Sequence, residues 1–350
     1  MSHRFLASMS ALPVVIALLT PVRVAGQVQS AAKAAPEKAT PASKTWTVPR
    51  TPDGQPDLQG IWSNGTLTPL ERPRELAGKQ FFTEQEAAEY EARVLEHNNA
   101  DRRDNQDAEA DVALAYNNLW YDRGTKIVPT RRTSLIVDPP DGRIPPLTPE
   151  AHKREAARAE ARHGRGAADS WEDRNLGERC LTRGAPKLPG GYNNNFLILQ
   201  GPGYLAILQE MIHEIRVIPL DGRPHVLQNI RQWLGDSRGH WEGNTLVVDT
   251  TNFRDEIRSN AFNCCGGAGA NLHLVEHFTR VNNDTIDYQY TVDDPTTFTR
   301  PWTVAVPLTK TPGPIYEYAC HEGNYGMVGI LSGARAEEKA AEEAAKTGPR

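Results

Sequence analysis

From Asn194 to the end of the 310s the apolar residues of this chain recur with a period of two. Ile286, Tyr288, Tyr290 and Val292 fall on one side of an extended backbone, and Asp287, Gln289 and Thr291 fall on the other. That is the pattern of a strand with one buried face. Similar short runs lie at 196–199, 204–208, 215–218, 246–249, 272–281 and 302–308, and residues 315–319 read as a closing strand. The links between them are of hairpin length: Gly-Pro-Gly at 201–203, Glu-Gly-Asn at 242–244, Asn-Asn-Asp at 282–284. About eight strands joined in this way predict a mainly β fold, an antiparallel meander that curls into a barrel or folds into a sandwich. The 28 Gly and 26 Pro among 350 residues suit so many turns.

Before the meander the signals change. Thr83 and Glu86 form a capping box that starts a helix running to about His97. Residues 132–146 read as a hairpin about a Pro140-Asp141-Gly142 turn. Thr148 and Pro149 open a second helix, to about His163, with no apolar stripe and so a place on the surface. Residues 47–334 are expected to form one β-rich domain, with a helical and loop part at 47–180 and the meander at 190–322. A charged Ala/Glu/Lys helix and tail follow at 335–350.

Residues 1–26 have the form of a secretory signal. His3 and Arg4 precede an apolar stretch from Ala7 to Leu19, and Val24-Ala25-Gly26 supplies small residues for cleavage near Gly26. The apolar stretch falls short of the roughly 20 residues that span a bilayer. Residues 27–46 are Ala, Lys, Pro, Ser and Gln without apolar periodicity, a flexible linker. A secreted or periplasmic chain can keep disulfides. The economical pairing of the four cysteines joins Cys180 to Cys320 and leaves Cys264 and Cys265 vicinally bridged or free. The formal charge of −5 argues against a nucleic-acid partner.

Several blocks resemble a family of secreted bacterial proteins without an assigned activity. They are residues 52–62 (PDGQPDLQGIW), 138–150 (DPPDGRIPPLTPE), 179–184 (RCLTRG), 218–225 (IPLDGRPH), 233–238 (WLGDSR) and 318–325 (YACHEGNY). The resemblance covers roughly residues 50–345 and implies secretion and one shared fold. Separately, Gly60-Ile61-Trp62 ahead of a β meander is similar to the Gly-x-Trp start of lipocalin-like barrels.

The candidate chemistry is non-redox and cofactor-free. No phosphate-binding Gly-x-x-x-x-Gly-Lys-Ser/Thr occurs, and the 201–206 Gly-x-Gly segment reads as a hairpin rather than a dinucleotide loop. His273 and His277 on a strand lie about 13 Å apart, too far to share a metal ion. No metal is expected. Acid–base candidates are His213, placed on one face of a strand with Ile215 and Val217, and Arg216, placed on the other with Glu214 and Ile218. Asp236 and Arg238 are expected on a loop between Gly235 and Gly239. His321 and Glu322 stand beside the expected Cys180–Cys320 bridge, which would hold their loop rigid. Tyr192, Asn193, Asn194 and Tyr325 are candidate ligand contacts. These residues point to a small-molecule enzyme of the lyase, isomerase or hydrolase type, with His321 or His213 as acid or base and Arg238 or Arg216 stabilising negative charge. The rival reading is a non-catalytic lipocalin-like protein that binds an apolar or glycan ligand. Catalysis requires several of His213, Asp236, Arg238, His321 and Glu322 to meet in one pocket.

Overall fold

A computed structural model describes residues 46–102, 117–259 and 264–347. The leader and nearly all of the linker lie outside the described residues. Among the described residues, eleven strands form one antiparallel sheet: β1 (Gly60–Ser63), β2 (Ile136–Asp138), β3 (Asn195–Gly201), β4 (Tyr204–Gln209), β5 (Ile215–Pro219), β6 (Asp236–Glu242), β7 (Thr245–Thr251), β8 (His273–Arg280), β9 (Thr285–Asp293), β10 (Trp302–Ala305) and β11 (Leu308–Lys310). The order is β5-β4-β3-β1-β11-β9-β8-β7-β6, with β10 pairing β9 and carrying β2. The two end strands, β5 and β6, then lie side by side, which makes a nearly closed, lipocalin-like barrel.

Local sequence explains the hairpins. β3 and β4 pair from Gly201↔Tyr204 inward around Pro202 and Gly203, whose φ of 77° suits glycine. β6 and β7 close at Glu242↔Thr245. The alternation in β8 and β9 turns Leu274, Glu276, Phe278, Tyr288, Tyr290 and Val292 into the barrel. The core includes the fully buried Trp62, Trp302, Tyr290, Phe253 and Phe298. Trp62, of the Gly-x-Trp motif, donates from its indole to the Leu58 carbonyl at 2.9 Å and lies under the Arg280 guanidinium.

The seam between β5 and β6 is closed by side chains rather than by a hydrogen-bond ladder. Leu220 and Ile218 press on Gly239, where an added Cβ would meet them at 2.6 and 2.9 Å. Gly239 is required by this close approach.

Among the described residues, three α-helices sit outside the barrel. α1 (Glu84–His97) has the expected capping box, with Thr83 N–H donating to Glu86 at 2.8 Å. α2 (Pro149–Ala161) is capped by Thr148, which accepts from Ala151 N–H at 3.1 Å; of its residues only Ala151 is buried. α3 spans Tyr325–Thr347 and so begins ten residues before the charged tail.

Other expectations need correction. Residues 315–319 form no strand; the barrel is completed by β1, which inserts between β3 and β11 (Trp62↔Phe196, Trp62↔Lys310). Asp236, Ser237 and Arg238 belong to strand β6 rather than a loop. His213 shares no strand face with Ile215 and Val217. It lies in a short 3-10 turn (Met211–His213), where Ile212 and His213 have φ of 60° and 45°.

Cys180 is bridged to Cys320, and Cys264 to Cys265. Two disulfides place the chain in an oxidising compartment, extracellular or periplasmic. No helix among the described residues is long and apolar enough to cross a membrane.

Candidate functional site

The ionisable residues fall into separate groups. The first is inside the barrel. Arg216 projects inward from β5 and Glu276 from β8, and they form a two-pronged pair, one prong at 3.0 Å. Tyr288 donates to the same carboxylate at 2.8 Å, and Ser237 lies 3.4 Å from the guanidinium. Burial opposes the charge on Arg216, but the neighbouring Glu276 carboxylate outweighs it and holds the guanidinium pKa above its usual value. Burial and the Glu276 charge both push the Tyr288 hydroxyl well up. A cavity among Phe196, Ile198, Ile207 and Phe278 measures about 20 Å³, room for about one water. Side chains fill most of the space around the pair.

The second group is on the outer wall. Arg238 and Asp236 pair at 2.8 Å. His225 then bridges Asp236 at 2.9 Å and Asp249 at 3.0 Å through its two ring nitrogens, and His273 bonds the other Asp249 oxygen at 2.7 Å. Hydrogen bonding to Asp249 raises the His273 pKa. Burial raises the Asp249 pKa, but the bonds from His273 and His225 prevail and lower it overall. Arg238 also bonds the Pro224 carbonyl, and Asp236 accepts from Val226 N–H. The network straps the 224–232 segment to the barrel. Neither His225 nor Asp249 was singled out by sequence. Their signal was available, because His273 and Asp249 share the outward parity of adjacent strands.

His321 and Glu322 are exposed on the turn before α3, away from the pockets that hold Asp236 or Arg216. His213 spends its Nδ1 on the Tyr318 carbonyl, at 2.7 Å. Thus Asp236 pairs with Arg238 and lines one cleft of about 640 Å³ with Arg216 and Glu214, whereas His213, His321 and Glu322 do not join them. Tyr325 is 80% exposed on the first turn of α3.

The third group surrounds a pocket of about 650 Å³ where β3 begins and β4 ends. Tyr192, Asn193 and Asn195 contribute one wall, Trp120 and Asp122 a second, and Glu210 with the strand-free segment Tyr316–Tyr318 a third. Asn194 is not a wall residue. It is fully buried behind the pocket, where its amide donates to Asp122 at 3.0 Å and its oxygen accepts from Lys187 at 2.7 Å. Burial brings the Lys187 pKa down to about 8. Glu210 accepts from Asn195 at 2.9 Å and from Tyr316 N–H at 3.1 Å, so it ties the C-terminal segment to the barrel. Trp120 and Tyr316 stay 63% and 68% exposed at the rim. Among the described residues, the pocket's wall groups aromatic side chains with carboxylates and amides and carries no basic side chain.

Glu214, at the entry to β5, accepts from Arg183 N–H at 3.0 Å and from the Gln209 amide at 3.2 Å. Burial outweighs these bonds and lifts its pKa to about 7. The folded value exceeds the unfolded one, so the contribution of Glu214 to stability is complete below about pH 4.5 and is lost as pH rises through 7. The shift corresponds to about 3 kcal/mol. Urea unfolding of Glu214→Gln and wild type at pH 4.5 and pH 8 checks this. The variant should gain on wild type by up to that amount at the higher pH, and a pH-independent difference would refute it.

No family model matches the chain, and neither a curated protein nor a solved structure matches it.

Proposed function

We propose that this is an exported binding protein for a polyhydroxylated small molecule of the saccharide class, held in the pocket between Trp120, Tyr192 and Tyr316. The observation that carries the reading is the grouping of aromatic side chains with hydrogen-bonding groups in one concave site. Aromatic rings cover the C–H faces of a sugar ring. The carboxylates of Asp122, Glu210 and Glu317 accept from its hydroxyls, and Asn193 and Asn195 add amides that both donate and accept. Binding is favoured over turnover because His213, His321 and Glu322 do not join the cleft that Arg216 and Asp236 share with Glu214, and over a ligand among Phe196, Ile198, Ile207 and Phe278 because the cavity there is small. The leader-like residues 1–26 and the resemblance to secreted bacterial proteins support export.

Isothermal titration against a panel of mono- and disaccharides tests the proposal. At least one should bind saturably below about 1 mM, and Trp120→Ala or Tyr316→Ala should weaken it by about tenfold, equivalent to ~1.4 kcal/mol. A panel without a binder, or affinity untouched by both variants, would refute it.

A further inference from the structure

The charge of the pocket between Trp120, Tyr192 and Tyr316 is one-sided. Asp122, Glu210 and Glu317 line it, and among the described residues no lysine, arginine or histidine does. Asp122 accepts from the Asn194 backbone N–H at 3.1 Å and from the Asn194 side-chain amide at 3.0 Å. Glu210 accepts from the Asn195 amide at 2.9 Å and from the Tyr316 N–H at 3.1 Å. None of these donors carries a charge. Glu317 is exposed on the segment between Tyr316 and Tyr318, both of which line the same pocket.

Glu210 stands out among the three. It is 2% exposed, so water screens it little, and a buried carboxylate ordinarily has a cationic partner. Lys187 feels the charges of Asp122 and Glu210 but bonds neither carboxylate. It lies behind the pocket, where it donates to Asn194 Oδ1 at 2.7 Å and to the Leu188 carbonyl at 3.3 Å. Burial already brings its pKa down to about 8, so this ammonium is itself under-compensated. One cation set back from the wall faces three carboxylates on it, and a concave site of one sign concentrates the opposite charge. Tyr316 adds to the pull. Its N–H is bound to Glu210 and its side chain is 68% exposed at the rim, and the face of a tyrosine ring attracts a cation.

We propose that the ligand of this pocket is a cationic amino sugar, its ammonium group received among Glu210, Glu317 and Tyr316. This rests on the saccharide reading of the pocket and adds to it the sign of the ligand's charge. The ammonium takes the place of one ring hydroxyl and donates charge-assisted hydrogen bonds to the carboxylates. The remaining hydroxyls meet Asp122, Asn193 and Asn195 as a neutral sugar's would. The same three carboxylates repel an acidic sugar, so the site selects by repulsion as well as attraction.

Isothermal titration at about pH 6, where an aliphatic ammonium keeps its charge, tests the proposal on matched ligands. The probes are glucosamine, glucose and glucuronate, and galactosamine, galactose and galacturonate. In the series that binds, the amine should bind about tenfold or more tighter than the neutral sugar, and the uronate should bind weakest. Glu317→Gln removes a charge and keeps an acceptor. It should bring the amine-to-neutral affinity ratio down about tenfold, with a melting temperature near that of wild type because the position is exposed. A neutral or acidic member that binds as tightly as the amine would overturn the proposal and leave the saccharide reading standing. So would a ratio that survives Glu317→Gln undiminished. No binding by any of the six sugars would count against the saccharide reading itself. Tetramethylammonium bound as tightly as the amino sugar would overturn both, because the hydroxyls would then contribute nothing.

Discussion

Glu276→Ala is expected to destabilise the protein by about 3–5 kcal/mol, a large share of the stability of an ordinary domain. Glu276 is 1% exposed, and its carboxylate serves both Arg216 and Tyr288. An arginine cannot shed its charge in a protein. Removing Glu276 therefore leaves a guanidinium in a lumen walled by Phe196, Ile198, Ile207 and Phe278, with nothing to balance it. The double variant Arg216→Met/Glu276→Leu removes both charges and keeps the volume. It should cost far less than the single variant, because replacing a whole buried pair by apolar groups is often near neutral. Urea unfolding of the single and double variants measures the coupling. Equal costs for the two would show that the pair is not an energetic unit.

The lumen pair also illustrates how much of the fold and site could be read from sequence. The strand carrying Glu276 was evident from alternation, and the same parity puts Glu276 with Leu274 and Phe278 on the inner face. His273 and His277, on the same strand, point outward. The hairpins at 201–204 and 242–245 and the capping box at Thr83 were legible because their chemistry is local. The short strand at Ile61-Trp62 was legible after its turn, but its place in the sheet was not: residues 60–63 pair with 195–198 and 309–310, and no neighbouring residue encodes that register. Asp236-Ser237-Arg238 between two glycines has a loop's composition. It is a strand because Gly235 has a φ of 70° and Gly239 admits Leu220 and Ile218 across the seam. Tertiary packing overrode local preference there. Of the residues that line the pocket, Tyr192 and Asn193 are among the sequence's candidate contacts, while Trp120, Glu210 and Tyr316 are brought together only by the fold.

Cys180→Ser/Cys320→Ser should lower global stability by about 2–5 kcal/mol and also weaken ligand binding. The bridge joins residues 140 apart in sequence and encloses every strand from β3 to β11. In the chain-entropy picture, closing a loop of that length restricts the unfolded chain by about 5 kcal/mol, which sets the upper end. The observed loss should fall below that ceiling, because without the bridge the C-terminal segment can detach while the barrel stays folded. That segment is held besides by Glu210 to Tyr316 N–H, His213 to the Tyr318 carbonyl and Asn324 to the Glu178 carbonyl. Tyr316, Glu317 and Tyr318 form one wall of the pocket. Detachment therefore opens the proposed saccharide pocket before the barrel melts. Hydrogen exchange should report faster exchange over residues 311–324 than over β8 and β9 in the variant, together with reduced saccharide affinity. Glu276→Gln, by contrast, should lower the urea midpoint and leave affinity unchanged. A serine double variant with wild-type exchange at 311–324 and wild-type affinity would show that the bridge does not hold the pocket wall, and an unchanged urea midpoint would remove its role in stability.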